Sequence, residues 1–383
     1  MDFSFGPEDD AFRAEAREWL AGELRAGTPD RPAWERRLGA AGWIGLGWKA
    51  GGYGNRTATL TQQVAWAEEY AHSAAPGRMG HIGENLLAPT LIAHGTDEQK
   101  QRFLPPVARG EELWCQGYSE PDAGSDLAGI RTSAAHEGDG SWRITGQKIW
   151  TSLAHEADWC FVLARTEPGS ERHRGLSFLL VPMDQPGRIE VRPIRQLTGG
   201  ADFNEVFFDG AHADAGHVVG GEGNGWRVAM TLLAQERGVS TLAQQIGFAQ
   251  ELDEVIAAAR TTGAADDPLT RDRLIRAWAE LKAMRWNALR TLGAPEDAAI
   301  PGAPSVAKLL WAGWHQRLGE LAMAVRGADA ATGPGDWSAD APYELDPAQR
   351  AFLFSRADTI YGGSNEVQRG IIAQRVLGLP KGA

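Results

Sequence analysis

The spacing of apolar residues in the first 112 positions is that of amphipathic helices. Phe12, Ala16, Trp19, Leu20 and Leu24 recur at intervals that place them on one helical face. The same spacing predicts further helices at 32–41, 59–72, 86–94 and 99–104. We therefore expect the chain to begin with a helical unit.

Between residues 113 and 218 the pattern changes to short apolar runs, several of them with period two. Turns rich in Gly, Pro and Asp separate these runs, and strands are predicted at 114–119, 141–148, 158–165, 176–182, 189–194 and 205–208. No long helical pattern lies between the runs. Neighbouring strands are therefore expected to pair antiparallel.

After the glycine-rich stretch 220–225 the helical pattern returns. It predicts helices at 226–258, 269–292, 305–325, 347–361 and 365–377. The predicted fold is α+β and multi-domain. It has an N-terminal helical domain at 1–112, a middle antiparallel β domain at 113–218 and a C-terminal four-helix bundle at 219–383.

Composition narrows the class of partner. The 383-residue chain carries a net charge of −12, which argues against nucleic acid and against an anionic membrane surface. Its two cysteines do not form a Cys-x-x-Cys pair, so we expect no disulfide framework and a reducing, cytoplasmic setting. Neither a secretory signal nor a stretch of eighteen apolar residues is visible. The histidines show no ligand spacing, so no metal site is expected.

Two polar segments carry the candidate chemistry. One is Gln116–Ser125, and the other is Trp150-Thr151-Ser152. Each offers hydroxyls and backbone N–H groups on or beside Gly-containing turns, which suits a flat cofactor that forms many hydrogen bonds. By spacing alone, a pair of surface turns accounts for the same residues.

The segment Tyr118–Asp126, Tyr-Ser-Glu-Pro-Asp-Ala-Gly-Ser-Asp, is followed by Gly146–Ser152, Gly-Gln-Lys-Ile-Trp-Thr-Ser. Together they resemble the flavin-binding signature of the acyl-CoA dehydrogenase family. The order of helical, β and helical units is also that family's arrangement, so the resemblance covers nearly the whole chain. It implies FAD as cofactor. The positions that it implies for cofactor binding are Gln116, Tyr118, Ser119, Gly124, Ser125, Trp150, Thr151, Ser152, Ser364 and Glu366.

The resemblance also assigns roles within these segments. It implies that the backbone of Tyr118 and the Ser119 hydroxyl face the flavin ring, and that Trp150 and Ser152 flank it, with Ser152 bonded to N5. Gly124 and Ser125 then lie near the pyrophosphate and the thioester end of the substrate. A buried flavin needs partners for the donors and acceptors on its ring edge.

The implied reaction converts acyl-CoA to trans-2-enoyl-CoA. A carboxylate takes the α-proton, and the β-hydrogen leaves as hydride to flavin N5. The usual family base is the Glu of Ile-Tyr-Glu-Gly-Thr, but this chain has Gly362 at that position. Long-chain and isovaleryl members instead place the Glu just before an Arg on an earlier helix, and Glu236-Arg237 matches that pattern.

We therefore take Glu236 as the candidate base, with a surface Glu beside a structural Arg as the alternative reading. Glu366 is the second candidate. The Gly362 N–H is expected to keep the family's contact with the thioester carbonyl. The implied substrate-binding residues are Ser125, Arg237, Tyr361 and Gly362.

Two family segments that reach a neighbouring subunit's flavin are altered. The Arg-x-x-Phe-Gly segment is reduced to Arg260, and Val325-Arg326-Gly327-Ala328 replaces a Gly-Gly-x-Gly turn. With the closing Gly362–Arg369, Gly-Gly-Ser-Asn-Glu-Val-Gln-Arg, this resembles the actinobacterial branch that handles sterol side chains and other bulky acyl groups. Some members of that branch assemble as heteromers.

The resemblance implies an acyl-CoA or acyl-carrier-protein thioester as substrate and an electron-transfer flavoprotein or similar acceptor. It further implies a homodimer or homotetramer, with a heteromer left open. Two alternatives differ in kind. One is a flavin oxygenase or oxidase on the same fold, and the other is a partner subunit of a heteromeric acyl-CoA dehydrogenase that is itself catalytically silent.

Overall fold

The computed structural model describes residues 5–73, 75–235, 239–292, 302–333 and 344–380. The chain divides into two compact units. The first, here called the α/β unit, comprises Pro7–Arg195 and Ala201–Gly238. The second, here called the helical unit, comprises Met1–Gly6, Gln196–Gly200 and Val239–Ala383. The three domain ranges expected from the sequence stay a prediction.

Six helices belong to the described part of the α/β unit. They are α1 (Pro7–Leu24), α2 (Arg31–Ala40), α3 (Leu60–His72), α4 (Ala88–His94), α5 (Asp97–Ala108) and α6 (Gly225–Gln235). Local sequence explains several of their first turns. Thr59 and Thr96 each form a capping box with a Gln three residues later, which satisfies N–H groups that a helix leaves unpaired. Asp30 caps α2 through the Ala33 N–H.

The same unit holds a sheet of eight strands. They are β1 (Trp114–Gly117), β2 (Ser133–His136), β3 (Trp142–Ser152), β4 (Trp159–Arg165), β5 (Leu176–Pro182), β6 (Ile189–Ile194), β7 (Phe203–Ala213) and β8 (Val218–Val219). The order across the sheet is β6-β7-β3-β2-β4-β5-β8, with β1 paired to β4. Most pairs are antiparallel, as expected, but β2 meets β4 in parallel at one residue pair, and β1 also pairs parallel to β4. About forty residues separate these two strands, so no tight hairpin forces them to run in opposite directions.

Four strands differ from the sequence prediction, among them the two-residue strand β8, which was not expected. β2 was not expected, because Ser-Ala-Ala-His has neither a strong apolar run nor β-branched residues. β3 and β7 are longer than the apolar pattern indicates. They pair along most of their length and contain register shifts, which interrupt the period-two signal.

Strand β4 shows how the sheet is buried. Phe161 and Leu163 belong to a core formed with the helices, whereas Cys160, Val162 and Ala164 belong to a second core on the opposite face. Alternate side chains of a strand point to opposite faces, so a strand covered on both sides is apolar throughout. β1 lies between the same two cores, with Trp114 in the first and Cys115 in the second.

The helical unit contains α7 (Val239–Thr262), α8 (Pro268–Leu292), α9 (Ala303–Arg326), α10 (Pro347–Phe354) and α11 (Asn365–Ile371). α7, α8 and α9 enclose an apolar core that includes Phe248, Leu281 and Trp314. The single helix predicted at 226–258 corresponds to α6 and α7, and residues 236–238 between them lie outside the described residues.

The prediction of a helix at 347–361 is wrong beyond Phe354. A short 3₁₀ turn follows at Ser355–Ala357, and the chain then leaves the helix before Tyr361. The Ser355 hydroxyl bonds back to the Phe352 carbonyl, a side-chain contact that competes with regular helix.

Within the ranges that the structure describes, none of the helices combines the length and apolar character that crossing a lipid bilayer requires.

Candidate functional site

The first predicted flavin segment follows directly from strand β1. Tyr118 is buried and Ser119 half-buried. The chain then turns, because Glu120 and Ala123 exchange backbone hydrogen bonds of 3.1 and 3.0 Å. Beyond this turn Gly124 and Ser125 are exposed, and apart from its own chain neighbours no described residue has an atom within 4 Å of the position that a Cβ on Gly124 would occupy. This turn therefore leaves room for a ligand beside its backbone.

The second segment lies at an irregularity of β3. The pairing with β7 shifts between Lys148 and Thr151, and Trp150 adopts a φ of 60°. Positive φ strains a bulky L-residue. The Trp150 side chain is 57% exposed, although the sheet around it is buried. Strained backbone clusters at ligand-binding sites, so the exposed Trp150 ring is a candidate for ligand contact.

Thr151 and Ser152 complete this segment. Thr151 is fully buried, and its hydroxyl has no hydrogen-bond partner within the part of the chain that the structure describes. Its carbonyl accepts a 3.0 Å bond from the Asn204 amide, which fixes the backbone. Ser152 is half-buried. A buried hydroxyl with no protein partner is costly unless a ligand supplies one.

The structure brings the two segments together. The Ile149 N–H donates to the Ser119 carbonyl at 2.9 Å, and the Lys148 ammonium donates to the Tyr118 carbonyl at 3.1 Å. Gln116, the other residue predicted for cofactor binding in the first segment, is half-buried on β1 and pairs with Phe161 of β4.

A buried ion pair holds this junction, and sequence reasoning assigned no role to it. The Lys148 ammonium is fully buried and bonds Glu120 at 2.8 Å and the Leu163 carbonyl at 2.8 Å. Glu120 also accepts from the N–H groups of Arg131 and Thr132, at 2.6 and 2.9 Å. The available signal was a Lys at a strand position that alternates with exposed ones; such a position faces the interior, and a buried Lys needs a carboxylate partner.

Glu120 remains ionised in this setting. Burial by itself raises the pKa of Glu120, but the Lys148 ammonium and the hydrogen-bond donors outweigh it and hold the pKa below its usual range. The pair therefore fixes the backbone of Tyr118 through charge-assisted bonds.

In the helical unit, Gly362 and Gly363 have φ values of 62° and 85°. Their carbonyls both accept from the Gln368 side chain, at 3.2 and 3.3 Å. The Gly362 N–H, in contrast, meets no acceptor among the described residues. The arrangement fixes the segment while leaving one donor available to a ligand, as an oxyanion contact requires.

Among the other residues predicted to bind cofactor or substrate or to act as base, the structure describes some and leaves others out. Ser364 caps α11 through the Val367 N–H. The Glu366 side chain is 77% exposed and pairs with Arg369 at 3.3 Å, so it lacks the burial expected of a base that acts on a weak carbon acid. Glu236 and Arg237 lie outside the described residues. In the described ranges no three His, Cys, Asp or Glu side chains are grouped in a way that could hold a metal ion.

Three family models account for nearly the whole chain. They are the N-terminal, middle and C-terminal domains of acyl-CoA dehydrogenase, which match residues 6–111, 115–211 and 223–377. The chain belongs to the acyl-CoA dehydrogenase family and is an oxidoreductase. This confirms the fold class and the family that the sequence motifs indicate.

Named relatives agree with this assignment. The chain is 56% identical to acyl-CoA dehydrogenase IpdE1 of Mycobacterium tuberculosis, with 97% of this chain and 98% of that protein covered. Among solved structures, the Tcur3481-Tcur3483 steroid ACAD is similar at a TM-score of 0.86 and 29% identity, with complete coverage of both chains. The ChsE4-ChsE5 complex from Mycobacterium tuberculosis has a TM-score of 0.82 at 31% identity, also with complete coverage of both chains.

Proteins of this family are FAD-dependent, so the cofactor expected from the sequence is confirmed. The residues present fit such a group. The orphaned Thr151 hydroxyl, the exposed Trp150 ring and the open backbone at Gly124 all belong to the segments that the family signature assigns to flavin.

Proposed function

We propose that this chain catalyses the α,β-dehydrogenation of an acyl-CoA to the trans-2-enoyl-CoA, with Glu236 as the base. FAD, when bound, supplies the hydride acceptor. The chain's own residues have three tasks: to bind the cofactor through the segments around Ser119 and Trp150, to hold the thioester carbonyl, and to accept the α-proton.

The observation that carries this proposal is the backbone at Gly362. Its position in the family motif has lost the usual carboxylate, but its N–H is left without an acceptor among the described residues. A donor of this kind stabilises the enolate-like oxygen that forms when the α-proton leaves. The thioester contact is thus retained while the base is supplied by another residue, and Glu236 stands at the family's alternative position.

We further propose that the acyl group is bulky and polycyclic. Support comes from the solved structure described as a steroid ACAD, which matches the full length of this chain. The absence of a side chain at Gly362 is consistent with a wider acyl pocket.

The test is anaerobic reduction of the purified holoenzyme by short, branched, long and steroid-type acyl-CoAs, followed through flavin absorbance. We expect bleaching by the steroid-type substrate and its loss in Glu236→Gln, with FAD content unchanged. Glu254→Gln is the matched control, because Glu254 is an exposed carboxylate on α7 with no ion pair among the described residues. Turnover by Glu236→Gln at the wild-type rate would exclude Glu236 as the base.

Two outcomes would favour the alternatives. Oxygen consumption during turnover would indicate an oxidase or oxygenase on the same fold. The chain purified by itself could instead show no flavin reduction with any acyl-CoA, and gain it after co-expression with a second family member. That outcome would indicate a partner subunit. Comparison of acyl-CoA with the acyl-pantetheine of a carrier protein decides the thioester carrier.

An exposed apolar face on α8 supports assembly with a second family subunit. Ile275, Trp278 and Trp286 lie on one side of this helix and are 58%, 51% and 60% exposed. Single apolar residues are common on surfaces, but three on one helical face indicate an interface. Of the two similar structures named above, one is described as the ChsE4-ChsE5 complex, and the other carries two protein names, Tcur3481 and Tcur3483. We expect Trp278→Glu with Trp286→Glu to lower the oligomeric mass in light scattering, whereas Arg273→Glu on the same helix leaves it unchanged.

A further inference from the structure

Four side chains of the helical unit form a continuous row of hydrogen bonds that ends at Tyr361. Glu251 on α7 meets His315 Nε2 on α9 at 2.8 Å, and His315 Nδ1 meets Asp358 Oδ2 at 2.5 Å. The Tyr361 hydroxyl donates to the other oxygen of Asp358 at 2.6 Å. We call this row the Glu251–Tyr361 relay.

Burial and charge make the relay a strong tether. The side chains of His315 and Asp358 are 8% and 1% exposed. Both ring nitrogens of His315 face carboxylate oxygens, so both carry protons. Burial lowers the pKa of His315, but its bonds to Asp358 and Glu251 outweigh this and raise the pKa to about 9. The ring is therefore an imidazolium at neutral pH and bonds both carboxylates at once.

Lys308, also on α9, supports the same turn. Its ammonium donates to the Asp358 backbone carbonyl and lies 4.7 Å from the centre of the Tyr361 ring. Asp358 is thus fixed at its carbonyl and at both carboxylate oxygens. The cluster thus contains two basic side chains, Lys308 and His315, and two acidic ones, Glu251 and Asp358.

The relay ends next to the donor proposed to bind substrate. Tyr361 directly precedes Gly362, and the Gln368 side chain fixes the carbonyls of Gly362 and Gly363 from the opposite end of the turn. A polar network that served only to join α7 and α9 would need His315 and Glu251, but not the further links through Asp358 to Tyr361. Buried ionic networks of this type add little stability over apolar packing.

We propose that His315 is a positioning residue that acts through Asp358 and Tyr361 to fix the direction of the Gly362 N–H. This inference rests on the proposed function, because it assigns that N–H to the thioester carbonyl. A donor displaced by about 1 Å costs on the order of 10²-fold in rate. The role is therefore expressed in kcat more than in KM.

The main variants are His315→Gln, which cannot bond both carboxylates as a cation, and Tyr361→Phe, which removes one hydroxyl. Thr262→Val is the matched control. It deletes a 2.9 Å bond to the Val325 carbonyl in the same unit without contact with the relay. Should His315→Gln fail to fold, Tyr361→Phe makes the same test with a smaller change.

In the FAD-containing enzyme we expect kcat per bound FAD to fall about 10- to 100-fold in His315→Gln. It should fall less in Tyr361→Phe, and KM should change less than about threefold in both. Thr262→Val should keep the wild-type kcat. The wild-type kcat should also decline as pH rises through about 9, where His315 loses its proton, and His315→Gln should lack this decline.

Within the described ranges, few charged or titratable groups face His315 from the elements packed against it. Those near the ring are Glu251 from α7, Asp358 and Tyr361 from the turn, and Lys308 from α9 itself. Two ion pairs on α9 are partly exposed: Arg317 pairs with Glu280 of α8, and Glu320 pairs with Arg356 of the turn after α10. Among the histidines and carboxylates near the turn, His315 is thus the group whose titration breaks the relay as pH rises.

Amide hydrogen exchange at residues 359–364 separates this inference from the proposed function. We expect about tenfold faster exchange there in His315→Gln and Tyr361→Phe at pH 7, and wild-type exchange in Thr262→Val. Failure of every acyl-CoA to reduce the wild-type flavin would refute the proposed function, while the exchange result would still decide the positioning role. Unchanged exchange and unchanged kcat in both relay variants would overturn the role of His315.

Discussion

Replacement of Lys148 by Met tests whether the buried ion pair holds the flavin segment. The substitution preserves most of the side-chain volume but removes the ammonium, which is fully buried and bonds Glu120 and two backbone carbonyls. Removal of one partner of a buried pair leaves an uncompensated charge and costs about 3–5 kcal/mol. Two backbone N–H groups still bond Glu120, so we expect a loss near the lower end, about 3 kcal/mol.

The double variant Lys148→Met with Glu120→Gln refines this estimate. Without the carboxylate no buried charge remains, so the double variant should be more stable than Lys148→Met alone. We expect a coupling of about 1–3 kcal/mol between the two positions. Denaturant titration of the apoprotein, followed by both circular dichroism and fluorescence, measures it. A neutral single variant, or strictly additive effects, would refute the reasoning.

Lys148→Met should also weaken FAD binding. The Tyr118 carbonyl loses its bond to the ammonium, so the segment that precedes Ser119 is held less firmly. We expect the FAD dissociation constant to rise about tenfold, which corresponds to about 1.4 kcal/mol. Wild-type FAD affinity in a destabilised variant would show that the pair supports the sheet and not the cofactor segment.

Three further predictions concern other parts of the α/β unit. A Cβ at Gly39 would lie 2.2 Å from the backbone of a neighbouring segment, so Gly39→Ala should lower the thermal midpoint, whereas Gly22→Ala, with nothing within 4 Å, should maintain or raise it. Burial raises the pKa of Glu35, but Arg78 outweighs this and holds the pKa below its usual range. The ionised Glu35 therefore stabilises the fold above about pH 4.3, and this contribution is lost as pH falls through the folded-state pKa. Glu35→Gln should lose less stability than the wild type when both are titrated with acid. Trp150→Ala should raise the FAD dissociation constant by about tenfold or more, measured by flavin fluorescence, with a small change in stability because the ring is largely exposed.

The assignment of the cofactor segments stays a prediction, and the sequence allows it because their residues are contiguous. Ser119 and Trp150 each lie in a short motif, and the strands that carry them have recognisable apolar runs. What joins the motifs could not be predicted in the same way. The bond between Lys148 and Glu120 spans 28 residues and depends on how β3 meets the segment after β1. Periodicity reports which face a residue occupies but not which distant residue lies opposite.

The same limit is stronger in the helical unit. The relay from Glu251 to Tyr361 joins residues 64 and 43 positions apart before its last, local bond. The sequence pattern extends the preceding helix to Tyr361, whereas the structure ends it at Phe354 and uses the next residues to present Asp358 to α9. Tertiary bonds to a buried carboxylate override the local helical pattern there.

The structure also gives a physical reason why a carboxylate at residue 362 would serve poorly as the base. A Cβ built on Gly362 would lie 3.9 Å from the Lys308 ammonium. A carboxylate on that Cβ would pair with the cation, and an opposite charge so near lowers the pKa of an acid. Removal of a proton from a weak carbon acid requires the reverse, a desolvated carboxylate whose pKa is raised. Lys308 is committed to the Asp358 carbonyl and cannot move away without loosening the turn that carries Gly362. An ammonium at this place therefore fits a glycine at residue 362 better than a catalytic carboxylate, which supports a base from another part of the chain.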